Sequence, residues 1–295
     1  MRSYAFVTVD VFTDRRFGGN QLAVFPDARG LSDAEMQSLA AEFNLSETTF
    51  VLPADDPAHT ARVRIFNRTH EMPFAGHPNV GTGYVLAEQG RDKDGVLLFE
   101  EMAGLVEVKI ERNAAGKTTG ATIAAPQPLS LGIELSAAEI SEASGIGHAD
   151  VLVAAHKPVV ASVGVSFVLA EVTGSALAKA TPDLGAFRRV CSSHREMNGR
   201  FSLFLYARDG NRLRARMFAP IAGTWEDPAT GSASAPLGAL LLSFTKEESR
   251  SYDIVQGVEM GRPSLLRVVA RRTTDGIRAT VGGGCVPVLK GEAQV

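Results

Sequence analysis

Two side chains suited to proton transfer, His77 and Asp227, stand in two similar segments of this sequence. The first segment covers residues 64–81 and the second covers residues 216–231. Each begins with a strand pattern that contains Arg-x-Phe and ends in His-Pro-x-x-Gly or Asp-Pro-x-x-Gly, so that His77 and Asp227 take equivalent positions when the endings are aligned. A histidine and a carboxylate on opposite sides of a ligand can hold or transfer protons there. The repetition predicts one such pair, facing a cleft shared by two halves of the molecule.

Each segment leads directly into an apolar run typical of a buried helix. The free N–H groups and the positive dipole end of such a helix attract a carboxylate or an enolate-like oxygen. Gly76, Gly81, Gly231 and Ser232 fit a substrate-binding role, because glycine allows a ligand to approach the backbone closely. The simpler alternative is that these glycines only serve turns, and the repetition of the pattern favours a site.

Simpler explanations also exist for the titratable residues. His77 would then be a loop histidine bonded to the backbone, and Asp227 would be the N-cap of its helix. Glu47 lies beside hydroxyl and apolar residues, where a partly desolvated carboxylate could act as a general acid and base. Composition alone does not distinguish it from Asp10 or Glu101, and an exposed glutamate at a strand end is the commoner case.

Composition excludes several classes of protein. The chain has 295 residues, 45% hydrophobic and 21% charged, with a net charge of −3, which gives no basic footprint for nucleic acid. No apolar run approaches the ~20 residues that cross a bilayer, and the first residues read as a strand rather than a signal peptide. The two cysteines form no disulfide framework. We therefore expect a cytoplasmic protein with a small-molecule substrate and without nucleic-acid or membrane partners.

Metal and nucleotide signatures are missing from the sequence. The histidines are scattered without metal-ligand spacing. The Gly81-x-Gly83 pair lacks the third glycine of a dinucleotide fingerprint, and the strand pattern is not a βαβ series. We expect neither a metal nor a cofactor.

The order of the elements predicts an α+β fold. Many short, mostly antiparallel strands surround one apolar helix in each half, which indicates two similar domains, each a curved sheet or barrel around a central helix. The domain limits are predicted at 1–127 with a return of about 286–295, and at 128–285. Local signals predict four helix starts: a capping box at Ser32 and Glu35 before a helix over 33–43, a second box at Ser136 and Glu139, a buried helix over about 79–88, and Thr181 with Pro182 before a helix that carries Leu184.

Several blocks together resemble the PhzF-like family of phenazine-biosynthesis isomerases. They are Gly19-Asn20-Gln-Leu-Ala-Val, Leu45-Ser-Glu47-Thr-Thr-Phe-Val, Pro73-Phe-Ala-Gly-His77-Pro, Glu226-Asp-Pro-Ala-Thr-Gly-Ser232 and Gln256-Gly-Val-Glu-Met-Gly-Arg262-Pro-Ser. They occur in the family's order over nearly the whole chain. The resemblance implies the diaminopimelate-epimerase type of fold, a cofactor-free and metal-free isomerase, and a homodimer.

The resemblance also implies roles for particular residues. Glu47 matches the glutamate that moves a proton between two carbons of a cyclic amino-acid diene, while His77 and Asp227 match positions that bind the substrate and assist proton transfer. The matches to substrate contacts are Asn20, Gly76, Gly231 and Ser232.

Two departures and two alternatives accompany this hypothesis. Gln21 stands where proline is common in the family, and Pro236 predicts that the second helix begins later than Gly231, because proline is tolerated only in the first turn. Relatives of this fold that epimerise amino acids use two thiols, which the sequence lacks at His77 and Asp227. An epimerase or racemase, and a binding protein that kept the cleft without catalysis, are the alternatives.

Overall fold

The computed structural model describes residues 1–210 and 212–295, which form two compact units. The first unit comprises Met1–Ala124 and Val281–Val295, and the second comprises Ala125–Thr280. Each unit contains both strands and helices, which confirms the predicted α+β class.

Helices and strands are numbered separately in chain order over the described residues. The helices are α1 (Asp33–Phe43), α2 (Gly76–Glu88), α3 (Ala137–Ser144), α4 (Gly174–Leu177), α5 (Leu184–Ser193) and α6 (Gly231–Ser243). The strands are β1 (Ser3–Val11), β2 (Asn20–Phe25), β3 (Glu47–Leu52), β4 (Ala61–Phe66), β5 (Glu71–Met72), β6 (Val96–Glu101), β7 (Gly104–Arg112), β8 (Thr118–Ala124), β9 (Ser130–Glu134), β10 (Val151–Leu152), β11 (Val159–Ser162), β12 (Ser166–Val172), β13 (Leu203–Asp209), β14 (Arg212–Ala219), β15 (Thr224–Asp227), β16 (Ser249–Gln256), β17 (Ser264–Thr273) and β18 (Gly276–Gln294).

The strands of the first unit close on themselves. From β1 the pairing runs through β2, β3, β4, β6, β7 and β8 to β18, and β18 pairs antiparallel with β1 from Ser3↔Gln294 to Val11↔Cys285. The pairs β2–β3 and β4–β6 are parallel, whereas β1–β2, β3–β4, β6–β7 and β7–β8 are antiparallel. A closed sheet leaves no unpaired edge, so this unit is a barrel.

The helix α2 occupies the middle of this barrel, and it is buried along almost its whole length. Small residues allow the close approach: a Cβ added to Gly81 would lie 2.6 Å from Leu22 Cδ2 and 2.8 Å from Val11 Cγ2. This glycine therefore serves helix–sheet packing rather than a ligand. The helix begins at Gly76 and not at residue 79, because Pro78 lies in the first turn, where a missing N–H costs nothing.

The second unit repeats the plan around α6. Its sheet runs from β9 through β11, β12, β13 and β14 to β16 and β17, with the pairs β12–β13 and β14–β16 parallel. Backbone bonds from Leu129 N to Ile277 O (2.7 Å) and from Ala125 N to Ala279 O (2.9 Å) join the two ends of the unit. The helix α6 packs closely on this sheet, since a Cβ on Gly238 would lie 2.5 Å from Val268 Cγ1.

Besides the start of α2, two of the local predictions are confirmed and two are wrong. The helix 33–43 and both capping boxes are present as predicted. The helix α6 begins at Gly231 and continues through Pro236, so the expected later start is wrong. The cap of α5 is Asp183, which accepts from Ala186 N at 2.7 Å, rather than Thr181. No helix of the described part has the length and apolarity needed to cross a bilayer.

Candidate active site

Glu47 and His77, predicted separately, lie together in the first unit. Glu47 is the first residue of β3 and pairs across the sheet with Leu22 of β2, while His77 is the second residue of α2. Glu47 Oε2 lies 3.3 Å from His77 Nε2, and the two side chains are 16% and 7% exposed. The barrel and its central helix therefore position a nearly buried carboxyl–imidazole pair.

The imidazole of His77 is neutral at ordinary pH. Burial lowers the pKa of His77 to about 3, and a backbone hydrogen bond with Gln21 opposes this shift. Because that bond favours the protonated ring, the ring donates and the Gln21 carbonyl accepts. Nε2 faces Glu47, so Nδ1 is the donor, and Nε2 carries the lone pair in the neutral ring. The contact with Glu47 is therefore not an ion pair, although its length would allow one.

The other predicted residues of the first unit stand next to this pair. Gly76 is the first residue of α2, directly before His77. Asn20 is the first residue of β2, is 2% exposed and pairs with Val11. Gln21 follows Asn20 and stands where the family commonly has proline. Its backbone carbonyl accepts from the His77 ring, and a backbone carbonyl is present at this position with either residue.

Asp227 lies in the second unit within a buried hydrogen-bond network. It is the last residue of β15 and 8% exposed, and the Thr230 hydroxyl donates to its Oδ2 at 2.5 Å. Gln256 Nε2 donates to the Asp227 carbonyl at 2.8 Å and to Thr230 Oγ1 at 2.9 Å, while Thr230 N donates to Gln256 Oε1 at 3.0 Å. Asp227 does not cap the helix, because the N-cap of α6 is Thr230.

Two neighbouring residues fix the loop that follows Asp227. Ser264 Oγ donates to the Pro228 carbonyl at 2.8 Å. Gly257 has φ +75, and a Cβ there would lie 2.6 Å from the same carbonyl. The loop between β15 and α6 is thus held by hydrogen bonds and by a contact that only glycine permits.

The structure corrects the equivalence between His77 and Asp227. Both central helices begin at the glycine of a Pro-x-x-Gly sequence, α2 at Gly76 and α6 at Gly231. The strand before each helix pairs alike, with Ile65↔Met72 in one unit and Met217↔Asp227 in the other. His77 is therefore equivalent to Ser232, and Asp227 is equivalent to Met72. The alignment on His-Pro was wrong because Pro78 lies inside α2, whereas Pro228 precedes α6.

The Arg-x-Phe part of each segment is equivalent in structure as well. Arg64 makes two hydrogen bonds to Glu71, at 2.7 and 2.6 Å, and Arg216 makes two to Glu226, both 2.8 Å. Each pair joins the two strands that precede a central helix, and bidentate geometry fixes their relative position. These arginines support the site and do not belong to it.

Both helices present an uncapped N-terminus. The N-cap residues, Ala75 for α2 and Thr230 for α6, make no side-chain hydrogen bond to the first turn. The Thr230 hydroxyl donates to Asp227 instead. Gly231 and the half-buried Ser232 form the start of α6. The N–H groups of such first turns can bind an anion.

Sequence reasoning missed Gln256 and Thr230, which orient Asp227. Gln256 stands in a block that carries the family resemblance, yet no local pattern connects it to a residue 29 positions earlier. Within the described residues, no group of three or more His, Cys, Asp or Glu side chains is arranged to hold a metal ion.

Comparisons with known proteins agree with one another. The sequence profile of the phenazine biosynthesis-like protein family matches residues 9–291. An uncharacterised isomerase of Mesorhizobium japonicum is 36% identical, over 99% of both chains. The trans-2,3-dihydro-3-hydroxyanthranilate isomerase of Pseudomonas chlororaphis is 36% identical, over 97% of this chain and 98% of its own. The crystal structure of a phenazine biosynthesis protein from Bacillus anthracis has a TM-score of 0.88 and 25% identity over 100% of both chains.

A more distant likeness concerns the fold alone. A hydroxyproline epimerase from Agrobacterium vitis has a TM-score of 0.64 and 14% identity over 99% of this chain and 92% of its own. The epimerase-like fold implied by the sequence is thereby confirmed.

Proposed function

Because the chain belongs to the phenazine biosynthesis-like family and is an isomerase like its named relatives, we propose that it catalyses a cofactor-independent proton shift within a small carboxylate-bearing substrate. Glu47 is the group that carries the proton. His77 and Asp227 assist, and Asn20, Gly76, Gly231 and Ser232 contact the substrate. The observation that carries the proposal is the 3.3 Å contact between Glu47 Oε2 and His77 Nε2.

This contact supports a shared proton. Glu47 Oε2 and the Nε2 atom of the neutral His77 ring are both buried and lie 3.3 Å apart, although the contact does not have the geometry of a hydrogen bond. In this proposal the two groups share one proton during the reaction, and an O–H···N hydrogen bond forms when they align. The pair then holds one transferable proton in a site that excludes most water.

The chemistry balances without a cofactor. The pair gives its proton to one carbon of an unsaturated substrate, where a C–H bond forms, and takes a proton from a second carbon, where a C–H bond breaks. The double bond moves between these carbons, and the pair ends with the single proton with which it began. A positioned acid and base of this kind contributes about 10²–10⁴-fold to the rate.

The uncapped helix starts support the substrate class. The N–H groups at Gly76 and those at Gly231 each favour negative charge, which suits a substrate that carries a carboxylate. Asp227, oriented by Thr230 and Gln256, accepts hydrogen bonds from donors on the substrate.

Proton transfer is tested by NMR in D₂O. The substrates are trans-2,3-dihydro-3-hydroxyanthranilate, which the Pseudomonas chlororaphis relative is named for, and a set of amino and hydroxy acids. We expect the wild type to form an isomer with deuterium at the newly protonated carbon. Glu47→Gln lowers both product formation and deuterium incorporation by about 100-fold or more.

Glu107→Gln, at a half-exposed carboxylate on β7, is the matched control and keeps wild-type turnover. The proposal is wrong if Glu47→Gln retains more than about a tenth of the wild-type rate. Deuterium at a stereocentre with an unmoved double bond would indicate the epimerase alternative. Binding without any exchange would indicate the non-catalytic alternative. The cytoplasmic location and the homodimer stay predictions.

A further inference from the structure

A second buried carboxyl group, Glu101, stands beside the start of α2, and the reaction does not use it. Glu101 is the last residue of β6, and both of its carboxyl oxygens are buried without a hydrogen-bond partner of standard geometry. The turn after it folds onto the segment that leads to α2, since Ala103 N donates to the Pro73 carbonyl at 3.1 Å. Glu101 therefore lies close to the residues that precede His77.

Asn79 connects this carboxyl to the helix start. It is the fourth residue of α2 and fully buried, and its Nδ2 donates to the carbonyl of the N-cap residue Ala75 at 3.1 Å. Its Oδ1 is buried and has no partner of standard geometry. The side chains of Asn79 and Glu101 are close enough to interact. Asn79 Oδ1 is thus an acceptor without a donor beside a buried carboxyl group, and when that carboxyl group is ionised it attracts the Asn79 amide N–H instead.

A protonated Glu101 carboxyl would supply the donor that Asn79 Oδ1 lacks. Burial raises the pKa of Glu101 to about 8, against a smaller opposing effect of Asn79, and no charged side chain contributes. The titratable groups on the elements around it are engaged elsewhere or neutral. Glu100 pairs with His59, Arg64 pairs with Glu71, Lys109 stands beside Glu107, His77 is neutral, and Glu88 is at the far end of α2. At pH 7 the Glu101 carboxyl keeps its proton and has an O–H to donate.

We propose that protonated Glu101 is a positioning residue. Its O–H donates to Asn79 Oδ1 and thereby holds the first turn of α2, which contains Gly76 and His77. When Glu101 ionises, this hydrogen bond is lost and the turn is released. The catalytic part of this inference rests on the proposed function, because His77 is the ring that faces Glu47. The structural part concerns the order of one helical turn. It can be measured without a substrate.

The test is hydrogen–deuterium exchange of peptides covering residues 73–80, corrected for intrinsic exchange, at pH 6 to 10. In the wild type we expect protection of the first turn of α2 to fall about tenfold or more as the pH rises through 8, because a buried acceptor loses its donor. Glu101→Gln, whose amide donates at every pH, keeps the pH 7 protection throughout. Glu101→Leu shows the low protection already at pH 7.

The pH dependence of thermal stability is an independent test, because the direction of the expected change follows from the raised pKa of Glu101. The folded protein retains the Glu101 proton up to about pH 8, whereas the unfolded chain loses it near the ordinary value of 4.5. The wild type is therefore expected to lose stability between pH 5 and 8 relative to Glu101→Gln. Glu107→Gln serves as control and follows the wild type. Once a substrate is known, we expect the wild-type isomerase rate to fall above pH 8. The rate of Glu101→Gln is expected not to fall there.

Two results would overturn the inference. One is an equal fall of protection above pH 8 in the wild type and in Glu101→Gln. The other is a Glu101→Leu variant with wild-type protection at pH 7. A protein that fails the Glu47 deuterium test but shows the exchange pattern would refute the proposed function and leave the positioning role intact.

Discussion

Replacement of Gln256 by leucine measures how strongly the second unit holds Asp227. The side chain makes three buried hydrogen bonds, to the Asp227 carbonyl, to Thr230 Oγ1 and from Thr230 N. Leucine has a similar volume, so little cavity forms. The Asp227 carbonyl and the Thr230 N–H lose these partners, at about 1–3 kcal/mol for each unsatisfied group. We expect a loss of about 2–6 kcal/mol in the free energy of unfolding.

The assay is urea denaturation followed by tryptophan fluorescence. The single tryptophan, Trp225, lies in β15 two residues before Asp227, so it reports on the second unit. Ser141→Ala is the control in the same unit, since the Ser141 hydroxyl donates one partly buried hydrogen bond to the Ile146 carbonyl at 2.6 Å. It is expected to cost about 1 kcal/mol or less. A loss below about 1 kcal/mol in Gln256→Leu, with an unchanged urea slope, would refute the reasoning.

Two further predictions concern the first unit. Because the pKa of His77 is lowered to about 3, the unfolded chain binds a proton below pH 6.5 that the folded protein does not bind. The free energy of unfolding therefore falls as the pH is lowered from 6.5 to 3, by up to roughly 1.4 kcal/mol per pH unit. Denaturation at several pH values checks this, and a slope equally steep in His77→Gln would contradict it. Gly81→Ala places a methyl group 2.6 Å from Leu22 Cδ2 and should cost about 1–3 kcal/mol, whereas Gly174→Ala, which meets nothing within 4 Å, should be neutral in melting experiments. Equal melting temperatures for the two variants would count against the close packing of α2.

Local signals in the sequence predicted α1 correctly and α6 incorrectly, for physical reasons. The capping box of Ser32 and Glu35 is closed within four residues, so sequence alone determines it. The start of α6 depends on the sheet around it, which stabilises a helix that continues through Pro236 despite the missing N–H. Tertiary packing outweighs a local preference there.

The site shows the same division. The Pro-x-x-Gly pattern can be aligned in two ways between the halves, and only the strand pairing of Met72 and Asp227 selects the correct one. The residues around Glu47, Asp10 and Glu101 in the sequence did not show which carboxyl group acts in catalysis. Their environments differ because residues distant in sequence, such as His77 beside Glu47 and Asn79 beside Glu101, meet only in the folded barrel.

The pairing of β1 with β18 has a consequence for synthesis on the ribosome. Ser3 pairs with Gln294, 291 residues later in the chain. At ~5–20 residues per second, β1 waits roughly 15–60 s for this partner. Residues 125–280 emerge before it and form a complete unit of their own. The second unit can therefore fold first, while the edges of β1 and β8 stay open to chaperones or to wrong partners until β18 closes the barrel.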